Sequence, residues 1–485
     1  MEASKLSRRQ FLVGVFAAPA EATAAPAEPT AAPVATEVPA EKPTVQPTKQ
    51  GFTELQPPPE APPFEGGPQW TPKDLNGKEL VLWGLQYDPH VERYNILAET
   101  FSKRTGAKVT VQPQEWPIDA KVMAALAAGT PPDVICWMGV QSAPIVRQQA
   151  ILPIDDVVFS SLGLNVKKWW MPGAIGAYYG EGQHWGVPVE DNQCGYTVTA
   201  RIDLIEQAGD AAKALWPGVK GDEGVWFDSY EDMWALAELL QQKDEQGNVK
   251  IWGLSSDGWD PHSFISIMRN LGTEFYDAEN DKFNMDNEAA VEAVRLMVEE
   301  PYKRGIEGMM GMGQIDGYVA GQVALARGNA STAGEAYKMK IAGENVIAPS
   351  AIKGQPPLFY GEGGWGFEIP SEVKDKELSA EFLRFMCTYE AQYIFSQIYG
   401  GSPPATRGII DSDIYKGDDP IRVGLRRGMK AQENTLFWGW GLSVALDGIS
   451  EALSAVREGK MKGPEAAKQM QEAMTTAWEQ WKSEA

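Results

Sequence analysis

ELVLWGLQYDPHVERYNILAETFSKRTGAKVTV, residues 79–111, decides the fold. Its first five residues, Glu79 to Trp83, make a short apolar run of the kind that forms a buried strand. Asp88 then offers an N-cap, with Pro89 at the first helical position, where a missing N–H is tolerated. Val91, Tyr94, Leu97 and Phe101 recur at helical spacing, and Gly106 closes the helix. Lys108 to Gln112 alternates as a second strand. Beyond it, Ile118 to Ala128 reads as a helix ended by Gly129, and Asp133-Val134-Ile135-Cys136-Trp137 as a third strand. Strands alternating with helices predict an α/β fold whose sheet is mostly parallel and covered on both faces. Ligands of such sheets bind outside the carboxyl ends of the strands. Those ends are Trp83, Gln112 to Trp116, and Trp137.

The 485 residues suffice for two domains with ordinary cores. Hydrophobic residues make up 43% and charged residues 22%, a globular balance. A net charge of −23 repels a phosphate backbone, so no nucleic-acid partner is expected. Cys136, Cys194 and Cys387 show no CxxC and no metal-ligand spacing, and read as buried free thiols. No two of His90, His184 and His262 lie four residues apart, so no metal site is expected. GxSxG, HExxH and P-loop motifs are absent from the sequence, and Gly311-x-Gly313 lacks a glycine at the sixth position and follows no clear strand. No cofactor is expected.

Ser7-Arg8-Arg9-Gln10-Phe11-Leu12 resembles a twin-arginine export signal, so residues 1–16 read as a signal-like segment and the protein as extracytoplasmic. Phe11 to Ala18 is too short to span a bilayer. No Cys precedes the Ala/Pro-rich stretch that follows, so lipid anchoring is not expected. Residues 17–75 are dominated first by Ala, Pro, Thr and Glu, with AAPAEAT (17–23) nearly repeated as AAPAEPT (24–30), and then by proline clusters. They read as a disordered linker, and the residues before about 70 as dispensable for folding and binding.

Farther along, LAETFSKRTGAKVTV (97–111), ALAAGTPPDVICW (125–137) and QQAILPIDD (148–156) occur in order. EGQHWGVPVEDNQCGYTVT (181–199), GQVAL (321–325), GGWGFEIP (363–370), LSAEFLRFMCTYEAQ (378–392) and SPPAT (402–406) follow. Each is weak alone. As an ordered series they resemble the bacterial extracellular solute-binding proteins of the sugar-binding ABC-transporter type. The resemblance implies a two-lobed clamp joined by hinge crossings. Lobe one would comprise 77–192 and 350–401, and lobe two 193–349 and 402–485. It also implies a monomer that captures a small solute, expected to be a neutral carbohydrate, and hands it to an ABC transporter permease in the membrane. A secreted glycoside hydrolase, a binder of a non-sugar solute and a scaffold without any ligand are the alternatives.

Seventeen tryptophans are many for this length, and an aromatic face can cover the apolar CH face of a pyranose. The competing reading of each is a core anchor. The resemblance makes Trp137 a sugar contact, Glu190 an acceptor for sugar hydroxyls, and Trp438 a stacking aromatic of the second lobe. The acidic residue expected after that first aromatic is replaced by Met138, Gly139 and Val140. Asp191 and Asn192 add polar groups beside Glu190. Trp365 stands between glycines that would let backbone approach a ligand, and Trp440 follows Trp438. Trp259, with Asp260 and His262, enters a helix. Trp83, Gln86 and Trp116 are candidates by strand-end position. By contrast, Leu442, Leu446, Ile449, Leu453 and Val456, then Met470, Met474, Trp478 and Trp481, fall at +3/+4 steps and read as core. Val291, Val294 and Val298 mark another helix, opened by Asp286.

Overall fold

The computed structural model describes residues 64–115, 118–191, 197–217, 226–255, 260–308, 314–328, 341, 343–347, 349–355, 357–361, 363–397, 403–415, 426, 436–437 and 439–484. In chain order the strands that matter are β1 (Glu79–Leu85), β2 (Lys108–Gln114), β3 (Val134–Met138), β4 (Gly186–Pro188), β5 (Thr197–Arg201) and β6 (Gln242–Lys243). Then come β7 (Val249–Ser255), β8 (Val323–Gly328), β9 (Gly343–Ile347), β10 (Tyr360–Gly361), β11 (Trp365–Glu368) and β12 (Leu436–Phe437). Two five-stranded sheets result, in the orders β2-β1-β3-β11-β4 and β9-β5-β8-β7-β6.

In the first sheet β1 is parallel to β2 and β3, but β11 is antiparallel to β3 and β4. In the second, β7 and β8 are parallel, whereas β5 is antiparallel to β8 and β9, and β6 to β7. Both sheets are therefore mixed, where mostly parallel ones were expected. The βαβ logic holds for β1, β2 and β3; β5 and β11 arrive directly from the opposite domain without a crossover helix, and run against their neighbours.

Helix α1 spans Asp88–Thr105, with Tyr87 rather than Asp88 at the N-cap position. Gly106 takes the left-handed cap at φ 80° and donates to Ser102 O. The helix Glu288–Val294 is capped by Asn287, whose side chain accepts from Ala290 N, one residue after the expected Asp286. Leu80, Leu82, Cys136 and Phe367 of the first sheet pack with Tyr94, Leu97 and Phe101 of α1 in one core. Phe382, Phe385 and Phe395, from the helices Lys376–Met386 and Tyr389–Gln397, complete it. The second core gathers the C-terminal stripe, in which Leu442, Leu446, Ile449, Leu453, Val456, Met470, Met474 and Trp478 are buried. Trp481 is half-buried against it. Cys136 and Cys387 are buried free thiols; Cys194 lies outside the described residues.

Packing departs from the expected boundaries at three places. Phe64, Trp70 and Leu75 pack against the first core, and Trp70 Nε1 donates to Glu381 at 2.9 Å. The chain is thus part of the fold from residue 64, where a linker to 75 was expected: a tryptophan with a buried acceptor outweighs the local proline content. Residues 350–355 and 357–361 join the second core, because the Asn270 carboxamide holds Ser350 and Leu358. Its Oδ1 accepts from Leu358 N at 2.8 Å and from Ser350 Oγ at 3.2 Å, and Nδ2 donates to Leu358 O at 2.7 Å. Residues 405–415 stay with the first core through Ala405, Ile409, Ile410, Ile414 and Tyr415.

Glu368 is fully buried between β3 and β4, accepting a hydrogen bond from the Ser142 hydroxyl. Burial pushes its carboxyl up to about 8, against the smaller opposing effect of Ser142. The unfolded chain releases that proton near pH 4.3. Between those values the unfolded state binds fewer protons, so stability falls as pH rises, by up to about 1.4 kcal/mol per unit. Glu368→Gln keeps the acceptor for Ser142 and removes the titration. Denaturant titrations should find the variant level with wild type at pH 4 and clearly more stable at pH 8.5; equal stability at both would contradict the assignment.

Candidate functional site

The candidate residues divide between the two faces of the first sheet. On one face Trp83 and Trp137 leave the carboxyl ends of β1 and β3 and join Ile118, Val122, Ile135, Ile145 and Trp185 in a small apolar cluster. Trp137 is 1% exposed and its Nε1 has no hydrogen-bond partner. Trp83 is half-buried and donates to Gln112 Oε1 at 2.8 Å. Trp440 packs on the same cluster from the far end of the chain, half-buried, its Nε1 also without a partner. Its ring lies over Gly180, where a Cβ would stand 2.2 Å from the indole. A glycine is required there for the approach.

Trp365 points to the other face. It pairs with Met138 while Gly366 pairs with Trp137, so Trp365 and Trp137 do not share a surface. Trp365 is 8% exposed within the first core, edge-on to His90 at 5.1 Å. The space beside its glycine neighbour is occupied by protein: a Cβ at Gly366 would meet the Tyr178 ring at 2.5 Å. Tyr178 Oη lies 2.8 Å from Trp137 O and 3.1 Å from Gly364 O, able to donate to either, and so bridges β3 and the chain entering β11.

At the edge of the first core, Glu190 accepts a hydrogen bond from Arg93 Nη1 at 2.5 Å. Both are almost fully buried, and Phe395 stacks on the guanidinium at 4.2 Å. His90 Nε2 lies 3.6 Å from Glu190 Oε1. Burial, reinforced by Arg93, holds that imidazole well below its usual range, so it is neutral and this contact is not an ion pair. Asp191 is buried too. Desolvation raises its carboxyl to about 7, and Oδ1 has no partner. The backbone here is fixed by Asp191 N donating to Pro403 O at 2.9 Å and by a bridge between Glu190 and Pro404.

Trp116, Asn192, Trp259 and Trp438 lie outside the described residues. His262 is buried in the helix Asp260–Asn270, and Gln86 is exposed. Sequence reasoning passed over Arg93 and Tyr178. Arg93 carried a signal: it falls within the apolar stripe of α1, beside Tyr94 and Leu97, where a charge demands a partner. Removing that partner should be costly. Glu190→Ala removes the buried carboxylate beside Arg93, and denaturant unfolding should report a loss of about 3–5 kcal/mol. Unchanged stability would show that the pair is dispensable.

The chain matches the model of a bacterial extracellular solute-binding protein family over residues 97–422. No curated protein matches it. Among solved structures it is similar to the maltose/maltodextrin-binding domain of Bdellovibrio bacteriovorus bound to maltotriose. There the identity is 16%, the TM-score 0.64, and coverage 82% of this chain and 99% of that one. It is similar also to an ABC transporter solute-binding protein of Thermotoga lettingae bound to α-D-tagatose, with 16% identity, TM-score 0.65, and coverage of 83% and 100%. An ABC substrate-binding protein of Listeria monocytogenes in complex with cycloalternan gives 16% identity, TM-score 0.65, and coverage of 83% and 99%. These structures share the two-lobed fold. With the family match covering about two thirds of its length, the chain belongs to the bacterial extracellular solute-binding proteins.

Proposed function

We propose that this protein captures a carbohydrate between its two lobes outside the cytoplasm and delivers it to an ABC transporter permease, acting as a monomer and without catalysing a reaction. Lobe one is residues 64–191 and 363–415, and lobe two residues 197–361 and 439–484, following the two cores. Among the described residues no helix is long and apolar enough to cross a membrane.

The observation that carries the reading is the tryptophan edge. Trp83 and Trp137 come from the first sheet and Trp440 from the chain of the second lobe, and all three meet in one cluster at the strand ends. The bound saccharides of the similar structures agree with an aromatic surface of this kind. Trp83 and Trp440, half-buried, are the contacts; Trp137 backs them. Trp365 and Glu190 shape the site from behind, and Trp116, Asn192, Trp259 and Trp438 stay candidates by sequence position. Glycoside hydrolysis is disfavoured, because Glu190 is committed to Arg93 and Asp191 is buried.

A thermal-shift screen of mono- and oligosaccharides identifies the cognate sugar, since ligand at 100 times its dissociation constant adds about 2.7 kcal/mol. With that sugar, Trp440→Ala should lose about 2 kcal/mol of affinity, roughly thirtyfold, by calorimetry, with a nearly unchanged melting temperature. Trp137→Ala should instead destabilise the fold by about 3–5 kcal/mol. Full affinity in Trp440→Ala would refute the tryptophan edge as the binding surface. Ligand spanning both lobes favours the closed state, since contacts exist there that the open state lacks. The radius of gyration by small-angle scattering should therefore fall at saturation; an unchanged value removes the closure.

A further inference from the structure

Arg327 lies near the carboxyl end of β8, the central strand of the second sheet, between β5 and β7. It is 1% exposed, and Nε, Nη1 and Nη2 all lack a hydrogen-bond partner. Among the described residues the other buried arginines each have an acid beside them: Arg93 has Glu190, Arg384 has Glu377 and Glu381, and Arg426 has Asp411. Guanidinium does not shed its proton in proteins, so Arg327 remains a cation. A buried cation without an anion is disfavoured unless something else supplies the negative charge.

The acids nearest the site along the covering helix are otherwise engaged. Glu231 and Asp232 occupy the first turn of the helix Tyr230–Leu240, where Asp232 accepts the Ser229 hydroxyl at 2.8 Å and Glu231 acts on Arg295. The charge of Arg327 is felt by the Tyr230 phenol, which places the guanidinium beside that helix start. Two more buried polar atoms without partners mark the same strand end. Thr197 Oγ1 opens β5 opposite Gly328, and Ser255 Oγ ends β7 opposite Ala326. They project from the opposite face to Arg327 and so frame the strand ends from the other side. This end carries the carboxyl termini of β7 and β8 and the start of β5, where the chain enters from the first lobe. It is the edge at which such sheets take ligands.

We propose that Arg327 binds an anionic oxygen group of the solute, a carboxylate or a phosphate, so that the captured ligand is an acidic sugar. Guanidinium fits either group in bidentate fashion. The proposal rests on the solute-binding reading above and replaces the neutral sugar that the family resemblance implies.

The test titrates the full chain, and its Arg327→Met variant, with matched solutes by calorimetry. Galacturonate is set against galactose, digalacturonate against galactobiose, and glucose 6-phosphate against glucose. Wild type should bind the acidic member of at least one pair about thirtyfold or more tighter than its neutral partner. The carboxylate and phosphate pairs tell the two anions apart. Arg327→Met should bring the two members of that pair within about threefold. Without ligand it should melt no lower than wild type, since a buried unpaired charge has gone. The proposal is overturned if wild type binds no acidic member, if neutral partners bind as tightly, or if the variant keeps the preference. It is equally overturned if the unliganded variant melts well below wild type, which would make the guanidinium part of the core. Neutral sugars binding alone would overturn Arg327 as an anion site and leave solute capture standing.

Discussion

Arg93 and Glu190 stand 97 residues apart, on α1 and on the segment that leads out of the first lobe, and meet in a buried ion pair. Several features depend on this contact. It sets the start of α1 against the outgoing chain, whose Val189 and Glu190 amides both donate to Trp365 O. Through Asp191 and Pro403 it also fixes the chain that follows the helix Tyr389–Gln397. A buried pair adds little net stability over a well-packed apolar pair, because both charges must leave water. Its value lies in geometry: one arrangement satisfies both charges, and that arrangement holds the lobe exit in a single register.

A second constraint is steric. Aromatic rings occupy the volume that side chains on adjacent backbone would need. Tyr178 fills the space of missing Cβ atoms at Gly186 and Gly366, and Trp440 does so at Gly180. Interiors packed to crystal-like density leave no slack for even a methyl at such points. Of the glycines around Trp365, which invite a reading as a ligand approach, Gly366 is accounted for by Tyr178 and Gly363 by Ala177 on this ground. The same device at Gly180 lets a tryptophan from the second lobe's chain lie flat on the first lobe.

The architecture was legible where local and tertiary demands agree. Strand, helix and glycine cap over 79–114, and the C-terminal stripe from Leu442 to Trp478, carry their periodicity openly. Strand direction was not legible, because nothing local to β5 or β11 records that each arrives from the other lobe. The boundary at 350 was misread because the Asn270 carboxamide, some eighty residues earlier, decides it. For the site, strand-end position found Trp83 and Trp137, but the face each residue takes depends on pairing register. Hence Trp365 and Trp137 could look like neighbours in function while pointing apart. Arg93 and Arg327 shared a readable trait, a charge among buried apolar positions: Arg93 on the apolar stripe of α1 and Arg327 in the apolar strand β8. Only coordinates show that one has found its partner within the chain and the other has not.

The C-terminal segment returns to lobe one at points that bear on how the lobes can move. Arg147 Nη1 donates to Trp481 O at 2.6 Å and its guanidinium lies over the Trp481 ring, which stacks on Trp478 at 4.7 Å. Ser443 Oγ donates to Val140 O at 2.9 Å, and Trp440 rests on Gly180. Two of these ties reach lobe one on the chain leaving β3 and the third reaches it at Gly180, whereas the covalent crossings lie between 191 and 197, 361 and 363, and 415 and 436. A rotation of one lobe on the other can leave the crossings intact, but it must slide or break contacts of this kind, which exist only at short range. The ties therefore set a free-energy difference between lobe orientations, and a bound solute shifts that balance only by what it gains in one orientation and lacks in the other. A ligand seated against Trp440 would touch one of the ties directly, so binding and lobe orientation are coupled through the same indole.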